Sequence, residues 1–168
     1  KLLNKTILIA HNYSKNSLSA MSYHLALFLA EKGHDVVFIS YRPYFHSPII
    51  KNINKNKIFI YSWKTIGRPV KFIDALWVLH IYMVHRPKII IGHFTGAKLA
   101  IILCKLFSLG TTKTLCYYHT LSSQLNKNND RSYLFSKIIK LRTKLFYRIF
   151  CTKILATSKK ALDDYHNF

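Results

Sequence analysis

Ile7-Leu8-Ile9-Ala10-His11 is a short apolar run closed by a histidine, and two later runs end the same way: Ile89-Ile90-Ile91-Gly92-His93 and Leu115-Cys116-Tyr117-Tyr118-His119. Runs this short, rich in β-branched and aromatic residues and separated by stretches of helical spacing, read as parallel strands buried on both faces by helices. All strands of such a sheet point one way, so the three histidines are expected along one edge. Ligands of open α/β sheets bind outside that carboxyl edge. The runs therefore predict a fold and the place of a site together.

Outward from the first run, the loop Asn12-Tyr13-Ser14-Lys15-Asn16 leads to Ser17, a residue suited to cap a helix. The helix runs to about Lys32 with Leu18, Met21, Leu25, Phe28 and Leu29 on one face, and Gly33 stands where a helix stop needs left-handed backbone. Val36 to Ile39 follows as a second strand, which completes a right-handed βαβ unit. Tyr41 to Lys57 is polar, holds two prolines and reads as a loop before a short strand, Lys57 to Tyr61. A helix from about Val70 to His85 is stopped by Pro87, and Lys88 to Ile91 is the next strand. Gly96 to Leu109 reads as a helix, Thr114 to Tyr118 as a strand and Ser122 to Arg131 as a polar loop. Ser132 to Phe150 is a basic helix, Ile154 to Ala156 a strand, and a last helix starts at Lys159. The expected class is α/β: a Rossmann-like, doubly wound, mainly parallel sheet of about six or seven strands with helices on both faces. No linker divides residues 1–168, so a single domain is expected.

A chain of 168 residues can bury a sizeable core, and its 50% hydrophobic content argues against disorder. The longest apolar stretch, Phe72 to Val84, is broken by Asp74 and His80 and is too short to span a bilayer. The N-terminus lacks the apolar core and cleavage site of a signal peptide; residue 1 is lysine, as in a trimmed chain. Against 6 Asp and Glu stand 26 Lys and Arg, a formal charge of +20. So basic a surface seeks anions, whether nucleic acid, anionic lipid or a phosphorylated substrate; nucleotide bias in the genome accounts for the Asn, Ile and Lys abundance equally well. Most of the cations are lysines, which are poorly suited to bidentate reading of base edges, and no nucleic-acid reader motif is present. Cys104, Cys116 and Cys151 sit in apolar runs without CxxC pairing and read as buried free thiols in a reducing compartment. No clustered ligands suggest a metal.

The loop after the first strand holds neither G-x-G-x-x-G nor a P-loop, which argues against NAD or ATP binding of the usual kind. The start of the first helix still offers free N–H groups to an anion, beside Asn12, Tyr13, Ser14 and Lys15; an ordinary polar turn is the other reading. His119 opens His119-Thr120-Leu121-Ser122-Ser123, where an imidazole can donate to a phosphate, polarise a sugar hydroxyl or act as a base. His93 lies in Gly92-His93-Phe94-Thr95-Gly96, whose glycines let backbone approach a ligand. His11, nearest the sheet centre, reads as a satisfied core group, and His24, His80 and His85 as structural residues of helices. Ser158 stands where a strand meets a helix and reads as an N-cap that also borders the site. With one glutamate, Glu31, and five aspartates, no two-carboxylate glycosidase centre is available. In the basic helix Leu134, Ile138, Leu141, Leu145 and Ile149 recur at three- and four-residue steps among Lys137, Lys140, Arg142, Lys144 and Arg148. Such a helix either packs its stripe on the sheet or lies on an anionic membrane; the sheet's need for cover favours packing.

Several of these segments together resemble glycosyltransferase family 4. They are Glu31-Lys32-Gly33-His34-Asp35-Val36, Arg86-Pro87-Lys88-Ile89-Ile90-Ile91-Gly92-His93, the strand ending at His119, and Ile154-Leu155-Ala156-Thr157-Ser158-Lys159-Lys160-Ala161. The resemblance spans almost the whole chain. It implies the N-terminal, acceptor-side domain of a two-domain GT-B enzyme, with the C-terminal donor-binding domain absent from this chain, which is then a fragment or one partner of a split transferase. It implies retaining, metal-independent transfer from a nucleotide-sugar, a co-substrate rather than a cofactor, to a cell-envelope or lipid-linked glycan. His119 is then the catalytic candidate; Asn12, Tyr13, Ser14, Lys15, His93, Thr95, Thr120 and Ser158 are candidates for substrate binding. The loop at Asn12 to Asn16 departs from the family's glycine-rich pattern. The implied location is cytoplasmic, peripheral at the inner face of the cytoplasmic membrane. A non-catalytic module binding an anionic ligand, membrane surface or protein partner is the alternative.

Overall fold

A computed structural model describes residues 5–11, 17–40, 49–65, 71–93, 97–118 and 133–166. In chain order its elements are β1 (Ile7–Ala10), α1 (Ser17–Glu31), β2 (Val36–Ser40), β3 (Ile49–Ile53), β4 (Asn56–Ser62), α2 (Phe72–His85), β5 (Ile89–Gly92), α3 (Lys98–Phe107), β6 (Lys113–Tyr118), α4 (Tyr133–Phe150), β7 (Lys153–Ala156) and α5 (Lys159–His166). The strands form one sheet in the order β3-β4-β2-β1-β5-β6-β7. Every pairing is parallel except β3 with β4. This is the expected α/β doubly wound fold.

Because side chains alternate along a strand, each buried run feeds two cores. Leu8, Ala10, Val37, Ile39 and Ile90 pack with Trp63, Val78, Ile101 and Phe146 beneath α2, α3 and α4. Ile7, Ile9, Val36, Phe38, Ile58, Ile60 and Ile91 pack with Ala26 and Ala30 of α1. The turn out of α1 uses Gly33 at φ 95°: its N–H reaches Ala30 O (3.1 Å) while His34 N–H reaches Leu29 O (3.1 Å), the paired bonds of a Schellman stop. Asp35 then accepts the Lys57 N–H at 2.9 Å and aligns β4 beside β2.

Three expectations are corrected. The segment Tyr41 to Lys57 is not all loop, since β3 occupies Ile49–Ile53 and joins β4 in a hairpin through Asn54-Lys55. An edge strand needs little apolar surface, and Ile50, Lys51 and Asn52 are exposed, which is why its pattern looks like a loop. Asn54 takes φ 55°, a conformation asparagine tolerates. The second correction concerns the cysteines: Cys104 is a buried free thiol, but Cys116 of β6 and Cys151 after α4 are joined as a disulfide, Cα atoms 6.2 Å apart. Thr114 and Thr152 fasten the same junction, each hydroxyl accepting the other's backbone N–H at 3.1 and 2.9 Å.

The third correction is the orientation of α4. Its core-facing residues are Phe146, Tyr147 and Phe150, whereas Ile138, Leu141, Leu145 and Ile149 face outward; the Leu134 side chain lies outside those described. Among the described residues no helix is long and apolar enough to cross a membrane.

Candidate functional site at the switch point

The chain leaves β1 for β2 on one side and leaves β5 for β6 on the other, so the strand order reverses between β1 and β5. In doubly wound sheets the crossovers diverge at such a point and leave a crevice at the carboxyl edge. His11 and His93 are the first residues past these two strands. The His11 N–H donates to Ile39 O (3.1 Å) and the His93 N–H to Ala10 O (3.0 Å), which extends the ladder by one residue on both sides of the crevice.

Both histidine side chains are 0% exposed. Alternation sends them to the α1 face, two residues beyond Ile9 and Ile91. Their rings lie 5.7 Å apart at 52°. His11 Nδ1 and the Ser22 hydroxyl of α1 share a 3.2 Å hydrogen bond. Tyr117 stacks on His93 with centroids 4.1 Å apart and planes at 19°. From the opposite core, the indole of fully buried Trp63 donates to His11 O at 3.0 Å. Two imidazoles so held can keep or pass a proton at fixed positions beneath the crevice.

The structure thus brings His11 and His93 together. The residue it sets beside them from β6 is Tyr117, because the register pairs Gly92 with Cys116 and so carries β6 past the level of His93. His119 falls two positions after Tyr117 in sequence. His119 and Thr120 lie outside the described residues, as do Asn12, Tyr13, Ser14, Lys15 and Thr95. Ser158 is exposed, and its hydroxyl accepts the Ala161 N–H at 3.1 Å as the cap of α5. Gly92 has a different cause from the one expected. A Cβ there would overlap Ile101 Cδ1 and lie 3.1 Å from Ile101 Cγ1, so this glycine admits α3 against β5.

Sequence reading missed Tyr117, Ser22, Trp63 and Lys98. Lys98 opens α3, its Nζ 4.9 Å from the Phe146 ring centroid. Burial, reinforced by Arg142, lowers its pKa to about 8. A lysine in a first helical turn opposes the helix dipole, and that misplacement was the available signal. Tyr118 donates to Asp164 at 2.7 Å, tying β6 to α5. His85 shares a 2.8 Å bond with the Tyr61 hydroxyl, and His80 stacks on Trp77. Among the described residues no three His, Cys, Asp or Glu side chains are grouped to hold a metal ion.

The sequence profile of Glycosyltransferase Family 4 matches residues 19–168. No curated protein matches the chain. Among solved structures, sucrose-phosphate synthase from Thermosynechococcus elongatus is similar in fold, at TM-score 0.57 and 12% identity, over 91% of this chain and 47% of that one. A structure described as a UDP-N-acetylglucosamine 2-epimerase from Listeria monocytogenes superposes at TM-score 0.56 and 9% identity, over 99% of this chain and 42% of that one. The chain therefore spans less than half the length of either protein.

Proposed function

The chain belongs to Glycosyltransferase Family 4, and from that premise we propose that it is the acceptor-side half of a retaining glycosyltransferase. In this reading a sugar moves from a nucleotide-sugar to a cell-envelope or lipid-linked glycan. A second domain outside this chain holds most of the donor, and this half alone is inactive. The transfer uses no metal and no resident cofactor.

The observation that carries the reading is the buried cluster of His11, His93 and Tyr117 at the switch point, where doubly wound sheets receive ligands. His119, two residues after Tyr117 in sequence, is proposed to act on the transferred sugar. Asn12, Tyr13, Ser14, Lys15 and Thr95 are proposed to line the crevice from the loops after β1 and β5, with Thr120 and Ser158 from those after β6 and β7. His93, which is fully buried, is proposed to position rather than to react.

The test is a transfer assay on the complete protein with a panel of nucleotide-sugars and lipid-linked acceptors. His119→Ala is expected to lower kcat by about 10²–10⁴-fold, the usual worth of a positioned acid–base group, with an unchanged melting temperature. Wild-type turnover in that variant removes His119 from the mechanism; no transfer from any donor overturns the reading.

The same reading puts the protein at the inner face of the cytoplasmic membrane, with the +20 charge drawn to anionic lipid. The Cys116–Cys151 bond argues against a wholly reducing compartment. The linkage of that pair in protein quenched directly from cells decides the point.

A further inference from the structure

α4 carries two apolar faces, and among the described residues only one packs in the core. Phe146 on the inner face is 7% exposed, while Ile138, Leu141, Leu145 and Ile149 on the outer face are 62, 59, 45 and 60% exposed. At 100° per residue the outer four fall within an arc of about 80°. Arg142 borders the arc on one side, and Lys137, Arg148 and Lys144 border it on the other; all four are exposed. From Tyr133 to Phe150 the helix contains no acid.

This arrangement selects its partner. Nucleic acid would answer the cations and leave four aliphatic side chains in water. A protein surface would have to supply an apolar groove with acids on both rims. An anionic bilayer supplies acyl chains for the stripe and phosphates for its borders in one planar surface, and long basic side chains reach back to headgroups while their stems stay apolar. We propose that the outer face of α4 is the membrane-docking surface, the stripe seated at the headgroup–acyl boundary of an anionic bilayer. The proposal rests on the peripheral location given above and names the surface responsible.

One consequence concerns the site. As the crossover from β6 to β7, α4 runs antiparallel to the strands, so seating it flat lays the strands parallel to the membrane. The carboxyl edge then opens sideways along the headgroup layer, beside a lipid-linked acceptor rather than above it. The histidine cluster lies under α1 on the opposite face of the sheet, so docking leaves it uncovered.

The experiment is flotation of the complete protein with vesicles of phosphatidylcholine alone or mixed with phosphatidylglycerol, over a salt series. Binding is expected only to the mixed vesicles and is expected to weaken with salt. Leu141→Gln with Ile149→Gln should cut partitioning about tenfold or more, and Arg142→Gln and Arg148→Gln about fivefold per charge. All four positions are exposed, so melting curves should match the wild type. If wild type binds and the variants bind equally, this face is wrong and the peripheral location survives. If wild type shows no preference for anionic vesicles, face and location both fall, while the transfer reaction stands on its own assay. Protection of the stripe's side chains from hydroxyl-radical labelling in lipid-free protein, with or without a dimer by size exclusion, also overturns the proposal, because a second copy or the rest of the polypeptide then covers it.

Discussion

The ring of Tyr117 lies flat against the ring of His93, centroids 4.1 Å apart and planes 19° from parallel. An imidazole between this ring and the His11–Ser22 pair has its orientation set by three separate elements: β6, β1 and α1. Tyr117→Phe keeps the ring that makes the stack and should cost less stability than loss of the ring. Tyr117→Ala leaves a gap beside His93 and should cost about 1–3 kcal/mol in urea unfolding. Equal stability in the two variants would show that the stack is incidental.

Gly92→Ala should destabilise by about 1–3 kcal/mol, since the added methyl overlaps Ile101 on a tightly packed helix. Shortening the opposing side chain should restore part of the loss. The double variant Gly92→Ala/Ile101→Val is therefore expected to unfold at higher denaturant than Gly92→Ala alone. Additive losses would mean that the clash is relieved elsewhere.

Cys116 and Cys151 are 35 residues apart, and closing a loop of that length removes about 3–4 kcal/mol of unfolded-state entropy. Reductant should lower the unfolding midpoint of the wild type accordingly and leave Cys116→Ser unmoved. Cys104 is buried, which pushes its thiol up to about 12; it should resist alkylation until the chain unfolds. A wild-type midpoint indifferent to reductant would dismiss the bond.

Burial lowers the His85 pKa below 6.5, opposed in part by Asp35 and aided by His80. The unfolded chain therefore binds more protons than the folded one as the solution is acidified. The stabilising contribution is intact above pH 6.5 and is lost as pH falls through the folded-state pKa. Melting temperature should drop over that window, and less steeply in His85→Gln, which can still accept from the Tyr61 hydroxyl. Parallel curves for the two proteins would assign the acid sensitivity to other groups.

The central strands were legible because both of their faces are buried: Ile7–Ala10, Val36–Ile39 and Ile89–Ile91 could be little else. β3 was not, because an edge strand with Lys51 and Asn52 outward shows no run of apolar residues. The stripe on α4 was visible, but its direction was not. Periodicity marks an apolar face without saying what meets it, and a second inner face built on Phe146 and Phe150 did the packing. At the site, the strand-end histidines gave the edge but not the levels along it. Register between β5 and β6 is set by hydrogen bonds across the sheet, and it put Tyr117 against His93. The pairing of Cys116 with Cys151 is likewise a product of the crossover, in which α4 returns the chain to the start of β7.

Cys116 and Tyr117 are consecutive on β6, so one side chain leaves the sheet toward α4 and the other toward α1. The bolt that fixes α4 and the floor beneath His93 therefore hang from adjacent peptide units of one strand. A disturbance that lets α4 creep along the sheet cannot stay on its own side. It reaches the histidines within a single residue's length, through backbone alone.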